Sequence, residues 1–244
     1  MALQLFKART EGIRNLTHDV REIRLALLEP GEILFKAGQF VSFEVTNPKT
    51  GRPVSRPYSI LSPPSEQNEI VLLLNLVPSG PGSTYLFSLK ENDPAQFKGP
   101  AGNFYVRDEP AKDLLFIATG TGIVPLWSML HDQLEQRHDR SITLFWGLRS
   151  QRDLYYQDEL AALARKYANF TALTTLSRPE PGWAGASGRV TRLIEEHVRS
   201  VANLSAYICG NSGMIADVTA LINKRGLCPI YREKYYDDAG EPDD

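Results

Sequence analysis

At 244 residues the chain can form one large domain or two of about 100–150 residues each. A hydrophobic fraction of 42% supports a sizeable core and excludes a disordered chain. Lys plus Arg number 27 against 29 Asp plus Glu, a formal net charge of -2, so the basic excess of a nucleic-acid binder is missing.

The predicted elements fall into two halves. Eleven of the 16 prolines lie at or before Pro110, and this half reads as short strands between turn signals. "REIRLALL" alternates, with Ile23, Leu25 and Leu27 on one side. "QFVSFEV" places Val41, Phe43 and Val45 on one face and Phe40, Ser42 and Glu44 on the other. "RPYSIL" (56–61) is strand-like but sets Arg56 and Tyr58 on one face and Ser59 on the other, polar for a core strand. "EIVLLLNLV" is a continuous apolar run, as in a strand buried on both faces. Strands of this length and spacing predict a closed or nearly closed antiparallel β-barrel over residues 1–107.

From residue 108 the pattern changes. "DLLFIATG" is a buried-type strand leading into the helical "TGIVPLWSMLHDQLEQ", where Leu126, Met129, Leu130 and Leu134 keep helical spacing. Strand "SITLFWGL", helix "YYQDELAALARKY", strand "FTALTTLS", helix "RVTRLIEEHV", strand "AYICG" and helix "MIADVTALINKRG" follow. This alternation predicts a parallel α/β domain over residues 108–244, so the fold class is β plus α/β in two domains.

Two cysteines, Cys209 and Cys228, are too few for a disulfide framework or an iron–sulfur cluster. His18, His131, His138 and His197 are scattered without ligand spacing, so no metal is expected. The N-terminus "MALQLFKARTEG" has no apolar signal core, and no run of about 18 apolar residues occurs. No membrane association and a cytoplasmic location are expected.

The chemistry-bearing residues cluster at predicted strand ends. "ATGTGIVP" (118–125) joins a strand to a helix; Gly120 and Gly122 let backbone N–H groups approach a ligand, and the helix start favours an anion. Pro125 suits the first helical turn. The loop lacks the third glycine of GxGxxG, and alone it reads more readily as an ordinary tight βα turn. Arg149 follows one strand, Ser177 and Arg178 the next, and Arg189 the loop "GWAGASG". Ligands of open parallel sheets bind beyond the carboxyl ends of the strands. Three guanidinium forks there suit a phosphate beyond those of a plain dinucleotide. Cys209, in the strand-end turn "YICGNSGM", is open to two readings, a substrate-facing thiol or a small apolar core residue.

With these motifs in view, the chain resembles the ferredoxin–NADP reductase family over essentially its whole length, most closely the short bacterial ferredoxin/flavodoxin–NADP reductases. "RPYS", "GPAGNF" (99–104) and "GPGST" (80–84) match the family's flavin-domain motifs, and "GTGIVP" and "CGNSGM" its nicotinamide-domain motifs. The resemblance implies FAD and NADP(H) as cofactors and hydride delivery from NADPH to flavin N5. It further implies electron transfer to a separate carrier, ferredoxin or flavodoxin, and a monomer. It assigns Arg56 to the FAD pyrophosphate, Tyr58 to the isoalloxazine, and Ser59 to the neighbourhood of N5. Gly82, Ser83 and Thr84 supply backbone and hydroxyl donors to the FAD phosphates; Pro57 and Asn75 complete that set. Thr119, Gly120, Thr121 and Gly122 face the nucleotide, with Cys209 beside the nicotinamide. Arg149, Ser177, Arg178 and Arg189 hold the adenosine end with its 2′-phosphate. The terminal "REKYY" brings Glu233 and Tyr235 or Tyr236 near the flavin or its adenine, and Ser59, Cys209 and Glu233 are the catalytic candidates. The added "DDAGEPDD" departs from the pattern of members that stop at the aromatic residue. The alternative is an NAD(P)H-dependent reductase component of an oxygenase, or a free-flavin reductase.

Overall fold

The computed structural model describes residues 3–107, 112–136 and 139–235. Two compact units emerge. One runs to Val106 and includes Trp127–Glu135; the other comprises Arg107–Leu126 and the chain from Gln136 onward.

The first unit contains β1 (Gln4–Asn15), β2 (Val20–Glu29), β3 (Phe40–Thr46), β4 (Pro53–Ser59), β5 (Glu69–Asn75), α1 (Pro81–Ser88) and β6 (Pro94–Ala101). Their order is β4-β3-β6-β1-β2-β5, with every pairing antiparallel. An Ile60–Leu72 bridge joins the end of β4 to β5, reinforced by the Leu61 N–H donating to the Val71 carbonyl at 2.8 Å. The sheet therefore curls into a barrel closed at one corner. Alternation sends Phe6, Ile23, Leu25, Val41, Phe43 and Phe97 inward. Phe97 sits between Phe6 and Phe43, at centroid distances of 5.3 and 5.5 Å. Each such side chain contributes about 1.5–3 kcal/mol by leaving water. The expected antiparallel barrel is present, with β1, β6 and α1 added to the elements foreseen.

The second unit holds β7 (Asp113–Thr119), the start of α2 (Ile123–Glu135), β8 (Ile142–Leu148), α3 (Gln157–Lys166), β9 (Phe170–Leu176) and β10 (Ala186–Ser187). It continues with α4 (Val190–His197), β11 (Leu204–Gly210), α5 (Ser212–Asn223) and β12 (Ile230–Lys234). The sheet order is β10-β9-β8-β7-β11-β12 and all its pairings are parallel, as the alternating pattern predicts. Leu193, Ile194, Val218 and Ile222 from α4 and α5 bury against Ile117, Phe145 and Ile208 of the strands. The chain leaves β7 toward β8 on one side and returns to β11 on the other, so strand order reverses between β7 and β11. In open parallel sheets that switch point is where ligands bind.

Helix α3 begins at Gln157 rather than at Tyr155. Tyr155 and Tyr156 are both buried, and Tyr156 takes a left-handed φ of 55°. Burying two consecutive rings in different directions outweighs their helical spacing. Among the described residues no helix is long and apolar enough to cross a membrane. The expected join at 107/108 falls at the edge of the described residues, and Tyr236 and the acidic tail lie outside them.

Candidate functional site

In the first unit the candidate residues meet where α1 covers β4. The β3–β4 register sets Arg56 opposite Phe43 and Tyr58 opposite Val41, so both share a face with the barrel core. Tyr58 packs edge-on against Phe43 at 5.9 Å, while the Arg56 guanidinium turns back to the Ser55 carbonyl at 3.0 Å. Burial pushes the Tyr58 phenol up to about 12, with Arg56 acting weakly in the opposite sense. The hydroxyl is therefore a neutral donor throughout the physiological range. Ser59, opposite Phe40, is buried at the end of β4, and Pro57 is exposed.

Helix α1 starts directly over this pair. Asn75 ends β5, and the turn 76–80 leads to Pro81 at the first helical position. A Cβ at Gly82 would stand 2.9 Å from Arg56 Cβ and closer still to Tyr58 Oη. Only glycine lets the first turn of α1 lie on the Arg56–Tyr58 face. The Gly82 and Ser83 N–H groups belong to the opening turn, which has no intrahelical acceptors, so the helix start suits a phosphate. The Ser83 hydroxyl points the other way: it accepts from the Val77 N–H at 3.1 Å and lies 3.3 and 3.2 Å from the Val77 and Gly80 carbonyls. The hydroxyl so closes the turn that leads into α1. Thr84 is exposed. A guanidinium, a packed phenol and an open helix start form a cradle that fits the diphosphate and ring system of a flavin dinucleotide.

In the second unit two glycine turns meet at the switch point. After β7 the chain makes a 3-10 turn, Gly120–Gly122, and enters α2. Gly120 has a left-handed φ of 54°. Its carbonyl accepts from the Trp146 indole N–H at 3.0 Å and the Tyr155 hydroxyl at 3.3 Å. Gly122 packs on the Cys209 and Gly210 backbone, where a Cβ would collide. The Thr119 side chain lies over both Gly147 and Gly210, each of which leaves it room by lacking a Cβ. Beyond β11, Asn211 caps α5 by accepting from the Met214 N–H at 2.8 Å.

Cys209 is fully buried and sits opposite Glu233 in the β11–β12 register. Burial first, and the Glu233 charge second, push its thiol well above the ordinary range. It is a neutral, packed thiol here, in keeping with the apolar-core reading. The Tyr235 N–H donates to the Gly210 carbonyl at 3.1 Å, bringing the residue after β12 to the same turn.

The arginines form a second group in this unit. Arg149 follows β8 and Ser177–Arg178 follow β9. The Arg178 N–H bonds the Arg149 carbonyl at 2.7 Å, and the Ser177 N–H bonds the Leu148 carbonyl at 3.0 Å. Arg189 caps α4 directly after β10. All three arginines and Ser177 are exposed at the carboxyl ends of neighbouring strands, as the topology predicts. Gln151 fixes the loop beyond Arg178 through a reciprocal pair of bonds with the Glu180 backbone, at 2.9 and 2.8 Å. Sequence reasoning missed Gln151, Trp146 and Tyr155, which act through backbone groups and match no motif.

Residues 7–105 match the oxidoreductase FAD-binding domain family, and residues 116–220 the oxidoreductase NAD-binding domain family. The chain is 37% identical over 224 residues to ferredoxin–NADP reductase B of Sorangium cellulosum, covering 88% of this chain and 90% of that protein. It is 32% identical over 245 residues to the phenol 2-monooxygenase reductase component DmpP of a Pseudomonas species, covering 97% of this chain and 68% of that protein. Among solved structures, the Amycolatopsis cytochrome P450 reductase GcoB superposes with a TM-score of 0.85 at 27% identity, covering 95% of this chain and 70% of that one. A ferredoxin–NADP reductase from Neisseria gonorrhoeae, solved with FAD and NADP, shares the fold with a TM-score of 0.79 at 23% identity, covering 96% and 99%.

Proposed function

The chain belongs to the ferredoxin–NADP reductase family and is an oxidoreductase of FAD and a nicotinamide nucleotide; from that premise we propose that it moves electrons between NADPH and a separate one-electron carrier, ferredoxin or flavodoxin. Bound FAD supplies the redox chemistry, taking two electrons as hydride and releasing them singly. Arg56 and the Gly82 and Ser83 N–H groups hold its diphosphate, with Thr84 and Asn75 beside them. Tyr58 gives the ring system an apolar face that stays uncharged, and Ser59 ends the strand next to it. In the second unit Thr119, Thr121 and the two glycines of the turn receive the nicotinamide nucleotide. Cys209 and Glu233 stand opposite each other near the ends of β11 and β12, the thiol keeping its proton beside the carboxylate. The residues position the two dinucleotides, which is how proteins assist hydride transfer.

One observation carries the preference for NADPH: Arg149, Arg178 and Arg189 stand together at the ends of β8, β9 and β10. Each hydrogen bond to a charged phosphate contributes about 1.5–3 kcal/mol. Loss of one contact therefore costs roughly ten- to a hundredfold in NADPH affinity. Anaerobic bleaching of the flavin by NADPH and NADH, in wild type and Arg178→Ala, tests this. The NADPH/NADH ratio is expected to fall at least tenfold; an unchanged ratio removes the 2′-phosphate assignment. Reoxidation of the reduced enzyme by purified ferredoxins and flavodoxins then tests the carrier.

A second reading is supported by the 32% identity to the phenol 2-monooxygenase reductase component. There the chain serves an oxygenase. NADH preference and failure to reduce ferredoxin or flavodoxin favour it.

A further inference from the structure

Gly120 is the most freely rotating residue type at the most demanding place in the nucleotide turn. Glycine populates positive and negative φ about equally, and a Cβ at Gly120 would meet nothing within 4 Å. Local sterics therefore do not select its left-handed φ of 54°. Two side chains from elsewhere in the unit hold its carbonyl. Trp146, in the last half of β8 and fully buried, gives its indole N–H to the Gly120 carbonyl at 3.0 Å. Tyr155, in the segment before α3 and 7% exposed, gives its hydroxyl to the same oxygen at 3.3 Å. The rings meet edge-to-face at 4.8 Å, and Tyr155 is braced in turn by Tyr156 at 5.3 Å. The Ile123 N–H also turns to that carbonyl at the close of the 3-10 turn.

We propose that Trp146 and Tyr155 are positioning residues that lock the Gly120–Thr121 peptide plane and so set the anion-receiving geometry of the nicotinamide-nucleotide turn. In a trans peptide the carbonyl and the following N–H point in opposite directions. Pinning the Gly120 carbonyl inward aims the Thr121 N–H away from the buried indole. Without the pins, rotation of the Gly120–Thr121 peptide about the flanking bonds turns a carbonyl oxygen toward the bound phosphate, a repulsive dipole in place of an attractive one. The left-handed backbone at Tyr156, which breaks the expected helix, is the cost of bringing the Tyr155 phenol to this oxygen. The inference rests on the reading that this turn receives NADPH or NADH.

The test uses purified holoenzyme of wild type, Tyr155→Phe and Trp146→Phe, each checked for FAD content and flavin spectrum. Steady-state kinetics with NADPH and with NADH, and flavin difference spectra on adding the oxidised nucleotides, are read side by side. Loss of one neutral hydrogen bond is expected to raise KM and Kd about three- to tenfold. kcat should change much less, because the contact is made equally in ground and transition states. A purely structural role moves the FAD content or kcat and leaves KM where it was. Tyr155→Phe removes a hydroxyl alone, so it decides the matter if Trp146→Phe folds poorly. Wild-type KM and Kd in an FAD-loaded Tyr155→Phe, with the same result in any folded Trp146→Phe, overturn the proposal. If wild type itself responds to neither nucleotide, the nucleotide reading fails before any substitution is made, and the proposal falls with it.

Discussion

Gly122 lies against the carbonyl of Cys209 so closely that a Cβ there would stand 2.7 Å from the carbonyl carbon and nearer still to the oxygen. The turns after β7 and β11 are thus in backbone contact. Gly122→Ala is expected to cost about 1–3 kcal/mol, because backbone rather than a flexible side chain must move. Thermal unfolding and nucleotide Kd, measured together, should both worsen.

Gly82 makes the corresponding contact in the first unit, but with side chains. Gly82→Ala pushes α1 off Tyr58 and Arg56, and the helix start moves from where it meets the diphosphate. FAD affinity, read from flavin retained on dilution, should fall at least tenfold. Fold stability should fall as well, because the Tyr58 hydroxyl end can yield but the Arg56 Cβ, 2.9 Å away, is fixed to the β4 backbone.

The two free cysteines should differ sharply in reactivity. Cys209 is fully buried, with its thiol held well above the ordinary range by burial and by Glu233. Cys228 is partly exposed; burial raises its thiol and Lys112 opposes the rise. A thiol reagent at pH 8 should label Cys228 alone, faster as the pH rises, and Cys209 only after unfolding. Mass spectrometry of the labelled peptides reads this directly. Rapid native labelling of Cys209 would contradict its burial.

Thr10 occupies an inward position of β1, completely buried, and its hydroxyl has no hydrogen-bond partner among the described residues. Thr10→Val keeps the shape and removes a desolvated hydroxyl, worth about 1 kcal/mol of stability. A Tm rise of about 2–4 °C is the expected result at this chain length.

Much of the second unit is legible in the sequence for a physical reason. β7, β8 and β11 are covered on both faces, so consecutive positions must be apolar, and "LLFIA", "LFWGL" and "AYICG" announce them. The barrel is harder to read. β1 sends Ala8 and Thr10 inward while Leu5 is exposed, so its alternation carries little hydrophobic contrast. α1 is a turn-rich "PGSTYLFS" whose helix is fixed by the β4 face under Gly82. The positions of the arginines follow from strand ends alone. The bonds on the Gly120 carbonyl do not, because they come from residues 26 and 35 positions away and no spacing rule says which carbonyl a buried indole will find.

The barrel's single-corner closure has a consequence for self-association. Beyond the Ile60–Leu72 bridge, β4 ends the sheet order, and among the described residues no strand lies beside its outer row of main-chain groups from Pro53 to Tyr58. A bare strand edge invites a second chain to add its own strand. Here Pro53 and Pro57 remove two donors from that row; a proline is tolerated inside a strand when its nitrogen faces the unpaired side. The chain can thus keep one strand open beside a ligand cradle without offering a continuous template to its neighbours.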